Sequence, residues 1–222
     1  MDHEFERMLP KDAASIAAGI RFHHKGSQDL LKEATSASDF IHRLMAANFD
    51  SDAIRFLAQA MPIRESIWWG LLCVWRVFGP TPEEKEVWAI QSAIQWVTDP
   101  NETRRRAASS AAHAVGNNTA PGCLANAVFW SGGSISKVGM PTAHPPETSA
   151  GKAVGGAILL AAAKIKKAPK CREFRREFLL LGLDVARGKN LWSTPTAAHE
   201  PTSQACEEKV DVTAKEEAVT SR

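Results

Sequence analysis

The chain has 222 residues, 44% of them hydrophobic, which is enough to enclose one sizeable core with tails. Its formal net charge of +2 points to no strongly charged partner. The longest apolar run, 153–163, is too short to cross a bilayer.

The opening stretch "MDHEFERMLPKDAAS" mixes acidic and basic residues and has no apolar centre, so it does not read as a secretory signal. Residues 1–34 are expected to be a partly ordered N-terminal segment. Helix signals then recur up to residue 188, with no sustained strand alternation. In "SASDFIHRLMAANF", Ser36 is placed to cap, and Phe40, Ile41, Leu44 and Met45 share a face. Asp50 opens "SDAIRFLAQAM", and Pro62 precedes "IRESIWWGLLCVWRVF", where Ile63, Ile67, Leu71, Val74 and Phe78 recur at helical spacing. Trp68, Leu72 and Trp75 widen that stripe into a helix buried on more than one side.

"GPTPEEKEVWAIQSAIQWV" carries a start signal with Thr81 as the expected cap, Pro82 in the first turn and Glu84 three positions on. "DPNETRRRAASSAAHAVG" repeats that grammar, with Asp99 as the expected cap and Gly116 as the stop. "APGCLANAVFW" is a short apolar helix that runs into "SGGSISKVGMPTAHPP", a long Gly/Pro-rich connection over 131–146. Thr148 is placed to cap the alanine-rich helix that follows. The last helix, "KCREFRREFLLLGLDVARG", buries Phe174, Phe178, Leu181 and Val185 and ends at Gly188. Residues 193–222 are polar, acidic and poor in large apolar side chains, and are expected to be disordered. The reading is an all-α domain over 35–192, built from about seven or eight helices in stacked hairpins.

Among candidate sites, "FWSGGSIS" at 129–136 is the most suggestive of chemistry. It lacks the spacing and preceding strand of a phosphate loop, and it lacks the G-x-S-x-G elbow of a serine nucleophile. The simpler expectation is a helix stop, in which Gly132 and Gly133 take positive φ while Ser131 and Ser134 bond local backbone. The seven histidines include no H-E-x-x-H and no i, i+4 pair, and His23 and His24 are expected to be a solvated pair. Cys73, Cys123, Cys171 and Cys206 form no C-x-x-C pair or Cys/His cluster, so no metal and no cofactor is expected, and the thiols are expected to be reduced. Asp184 with Arg187 reads as a local ion pair, and the triple arginine at 104–106 reads mainly as surface.

Residues 152–189 hold ten basic residues against three acidic. Lys164, Lys166, Lys167, Lys170, Arg172, Arg175 and Arg176 form a candidate basic face. Phe174 and Phe178 fit a buried seam and not a base-stacking platform, so a solvated face is preferred over nucleic-acid binding.

Taken together, "RESIWWGLLC", "NAVFWSGGSIS", "MPTAHPP", "KAVGGAILLAAA" and "LLLGLDVARG" resemble a family of uncharacterised bacterial proteins carrying a domain of unknown function. Some of its members are associated with type VI secretion gene clusters. The resemblance spans roughly 40–190, and the family supplies no established catalytic residues. It implies that the Ser-Gly-Gly loop and its flanking helices act as one unit.

The expectation drawn from all this is a cytoplasmic, non-enzymatic interaction module with a protein partner. Its candidate contact residues are Trp130, Ser131, Gly132, Gly133, Ser134, Pro141, Pro145 and Pro146. The alternative is a hydrolase or transferase using Ser131 or Ser134, and a third reading has the 164–176 segment contacting phosphates.

Overall fold

The computed structural model describes residues 5–192 apart from positions 80, 138, 166 and 167. The tail at 193–222 and the basic-face residues Lys166 and Lys167 therefore lie outside the described residues. The described chain is all-helical and holds ten helices. They are α1 (Ala13–Ala17), α2 (Ser27–Glu33), α3 (Ala37–Ala46), α4 (Asp50–Ala60), α5 (Ile63–Phe78), α6 (Glu84–Thr98), α7 (Glu102–Val115), α8 (Ala120–Phe129), α9 (Ser149–Ala163) and α10 (Ala168–Ala186). The count exceeds seven or eight because residues before 36 form two short helices. Their few apolar positions give no periodic stripe to read.

Local chemistry fixes most boundaries. Ser36 caps α3 by accepting from the Asp39 amide at 3.0 Å. Gly116 ends α7 at φ 96°, a conformation that side chains with a Cβ avoid. Two expected caps move by two residues. Glu83, and not Thr81, caps α6 in a reciprocal capping box with Glu86, and Asn101, and not Asp99, caps α7 by accepting from Arg104 N. In both cases the proline precedes the cap instead of following it.

The alanine-rich α9 packs against α8, α5, α4 and α10. Its small residues allow this, since a Cβ on Gly151 would lie only 2.9 Å from the Ala58 carbonyl oxygen of α4. Across the core, Trp69 is fully buried, and its indole Nε1 donates to the Phe178 carbonyl of α10 at 2.7 Å. Phe40 and Phe56 meet edge to face at 4.8 Å, and Phe178 closes the same core with no exposed surface. Trp68 is half-buried and donates to Asn190 O, which ties the chain after α10 back to α5. Cys73, Cys123 and Cys171 are free thiols.

Candidate functional site

The connection after α8 is held in one shape by its own backbone and by two arginines. Helix α8 ends at Phe129 with Trp130 as its C-cap, and the Ser131 hydroxyl donates to Val128 O at 2.7 Å. The Ser134 hydroxyl accepts from the amides of Ser136 at 3.1 Å and Ala143 at 3.3 Å. Ile135 N donates to Ala143 O at 2.8 Å, and the His144 ring meets Gly133 O at 3.1 Å, so residues 133–136 and 143–144 lie side by side. Gly133 alone of the glycine pair takes positive φ, at 63°, which corrects the expectation for Gly132.

The surface expected for the triple arginine does not hold for Arg105, which is only 4% exposed. Its guanidinium donates to Phe129 O and, at 2.8 Å, to Ser134 O, while Glu102 receives Nε at 2.7 Å and Nη2 at 2.8 Å. Arg106 joins from the same helix, donating to Ser136 O at 2.9 Å and Ser134 O at 3.2 Å and pairing with Glu102 at 2.6 Å. A Cβ on Gly133 would sit 3.1 Å from Arg105 Nη2, so the glycine serves both the turn and the passage of the arginine. Hydrogen bonds from Arg105 hold the Glu102 carboxyl at about 2, below its ordinary 4.5, against the opposing effect of burial and with help from Arg106. The sequence signal for this clamp was present: Glu102 stands three and four positions before Arg105 and Arg106, the spacing of paired side chains on one helix face.

At the feet of this strap lies a cleft of about 370 Å³. Trp130 and Ser131 line it where the strap leaves α8, and Glu147 and Thr148 where it enters α9. The opposite wall comes from Leu9, Lys11, Ser15 and Ile16, and the floor from Gln59, Met61 and Ile63. Lys11 pairs with Glu147 at 3.0 Å across the rim, and Gln59 Nε2 donates to Thr148 O at 2.8 Å. Trp130 is partly buried against the core. Met140, Pro141 and Pro146 stand exposed, with Met140 64% accessible, while Pro145 is half-buried. Neither serine hydroxyl is hydrogen-bonded to an imidazole or a carboxylate among the described residues.

The candidate basic face divides. Lys164 turns to α5 and α6, with its ammonium 3.6 Å from the centre of the Phe78 ring and 3.4 Å from Glu86. Arg176 binds Asp50, with Nε to Oδ2 at 3.0 Å, and also donates to Met45 O at 2.8 Å. Lys170 is exposed, and Arg172 and Arg175 face the 23–24 loop across a small concavity. The two histidines are not a simple solvated pair: the amides of both donate to the buried Asp52 carboxylate, at 2.7 and 2.9 Å. No residue spacing revealed that contact, because Asp52 lies 28 and 29 positions away in the sequence.

A family model matches residues 40–186, and its description is a family of unknown function, DUF6931. The chain belongs to that family. The match contains the Arg105 clamp, the strap and the floor of the cleft. The DUF6931 region leaves out residues 9–16, which supply the cleft's opposite wall. Comparison with curated proteins and with solved structures gives no match. No described helix is long and apolar enough to cross a membrane.

Proposed function

We propose that this protein is a non-enzymatic helical interaction module, an adaptor or accessory protein that offers the 131–146 strap and the adjoining cleft to an extended segment of a protein partner. One observation carries the reading: a nearly buried guanidinium ties the Ser134 carbonyl of the strap to the Phe129 carbonyl at the end of α8, while the strap's tip leaves Met140 exposed. Burying a charge is costly unless it is paired and hydrogen-bonded, and a loop that merely connects two helices has no need of it. Pre-set shape lowers the ordering cost of binding, and methionine adapts to the apolar surface it meets. The cleft is lined by Leu9, Ile16, Met61, Ile63 and Trp130, beneath a polar rim, which suits one apolar side chain of the partner.

The resemblance to proteins associated with type VI secretion clusters makes components of that apparatus the first baits, with the cytoplasm as the proposed compartment. The test is affinity capture from the native host with wild type, with Met140→Asp and with Ile63→Asp, each variant first checked by thermal melting. A protein retained by wild type and lost by the folded Met140→Asp variant supports the reading. Equal retention by all three, or no specific retention, overturns it.

A further inference from the structure

We infer that the concavity between the 22–26 loop, the start of α4 and the first half of α10 is a binding site for a phosphoryl dianion, either free phosphate or the head of a small phosphate monoester. It is separate from the strap and does not depend on the adaptor reading.

The site has a volume of about 250 Å³ and is lined by His23, His24, Asn48, Asp50, Ser51, Arg172 and Arg175. Arg172 and Arg175 have neither an ion pair nor a hydrogen bond within the described protein, although they are neighbours three positions apart on α10. Like charges at that spacing repel, so their approach costs stability unless an anion lies between them. Asp50, the carboxylate that lines the site, is already matched. Arg176 faces Asp50 with two of its three guanidinium nitrogens, Nε to Oδ2 at 3.0 Å and Nη2 to Oδ1 at 2.8 Å, and also donates to Asn48 Oδ1 at 3.3 Å. Asp50 Oδ1 has no well-directed hydrogen bond of its own, so its charge is met by the ion pair alone. Asp52, with no exposed surface, accepts from His23 N, His24 N, His24 Nδ1 and the Ser27 hydroxyl.

That last group of bonds also orients an imidazole. The Asp52 carboxylate can only accept, so His24 Nδ1 carries the proton, and the ring is stacked on Phe49 at 4.2 Å with 7° between planes. Nε2 is left as the open nitrogen of a ring that cannot rotate freely. The concavity thus brings together two unmatched guanidiniums, an oriented imidazole, a second imidazole and the half-exposed Ser51. Planar guanidinium forks match the oxygens of a phosphoryl group, and a dianion uses both of them. A polynucleotide fits less well: the enclosed volume is small, no Phe or Trp lines it, and Glu173 and Glu177 border the adjoining groove.

Titration calorimetry on the full chain at low salt tests the site, with inorganic phosphate and glycerol phosphate as separate probes. The expected result is saturable binding at one site, weakened by about tenfold or more in the Arg172→Gln/Arg175→Gln double variant. Lys137→Gln, on the strap, retains wild-type binding. The double variant is expected to melt no lower than wild type, since it removes only repulsion. Equal affinity for the two probes assigns the site to free phosphate, and tighter binding of glycerol phosphate assigns it to a monoester head. No saturation with either probe, equal binding by the double variant, or tighter binding of a single-stranded oligonucleotide than of both probes overturns the proposal.

Discussion

Arg105 and Arg106 are adjacent, carry the same charge and share Glu102, yet their environments make them unequal. Replacing Arg105 by Met leaves Phe129 O without its donor and Ser134 O with only the longer bond from Arg106. The expected cost is about 1–3 kcal/mol in urea denaturation, because carbonyls at a buried site lose their partner. Arg105→Lys recovers little of it, since an ammonium cannot span two carbonyls and a carboxylate at once. Arg106→Met, at the exposed side, costs about 0–1 kcal/mol. Equal effects of the two methionine variants would show that burial does not distinguish them. Glu102 adds a pH signature. Its folded value of about 2 lies below the ordinary 4.5, so the stabilisation is present above 4.5 and is lost as pH falls through about 2. Its side chain is 56% exposed, which keeps the effect modest through solvent screening. Wild type should therefore melt above Glu102→Gln at neutral pH, with the gap closing between those two values. A gap that stays constant down to the acid limit would sink the linkage.

At the level of helices, the glycines separate propensity from packing. A Cβ on Gly182 would lie 2.4 Å from Trp69 Cε2, and one on Gly122 would lie 2.0 Å from the Gly116 carbonyl oxygen. Gly156, by contrast, has nothing within 4 Å of that position. Alanine in place of helical glycine gains up to about 1 kcal/mol, whereas forcing a methyl into a filled core costs about 1–3 kcal/mol. Gly156→Ala should raise the melting temperature while Gly182→Ala and Gly122→Ala lower it. A rise in all three would mean that the helices shift to make room at no cost. The same distinction explains what the sequence disclosed. Apolar spacing and Gly or Pro punctuation located α3 to α10, because those signals act within one turn of the chain. The burial of Arg105 is not legible in the sequence, because its decisive partners are carbonyls 24 and 29 residues away, and carbonyls have no sequence signature. The Asp52 contact with His23 and His24 was hidden for the same reason. The strap is legible as a connection from its Gly and Pro residues, and the Glu102 spacing discloses the ion pairs of the clamp, but not the carbonyls that the arginines hold.

For the whole molecule, the order of packing sets the order of opening. Helix α9 is enclosed by α4, α5, α8 and α10, so its amides exchange only when most of the core separates. Helices α1 and α2 rest on α3 and α4 through a few side chains, such as Ile16, and through the four bonds that gather on Asp52. They should exchange hydrogen first, followed by the strap ends, with α9 and the centre of α5 last. The Asp52 contact gives this gradient a second test. Burial alone would raise that carboxyl, but the amides of His23 and His24, then Ser27 and the His24 ring, together lower it, so it remains charged at neutral pH. Asp52→Ala removes the acceptor of all four bonds, and residues 22–33 should then exchange at the rate of an open segment while α9 stays protected. If α9 loses protection to the same extent, the N-terminal helices are part of the cooperative core and not a layer added to it. If residues 22–33 keep their protection, apolar contacts such as the Phe22 and Phe40 pair at 5.8 Å hold the layer without the carboxylate.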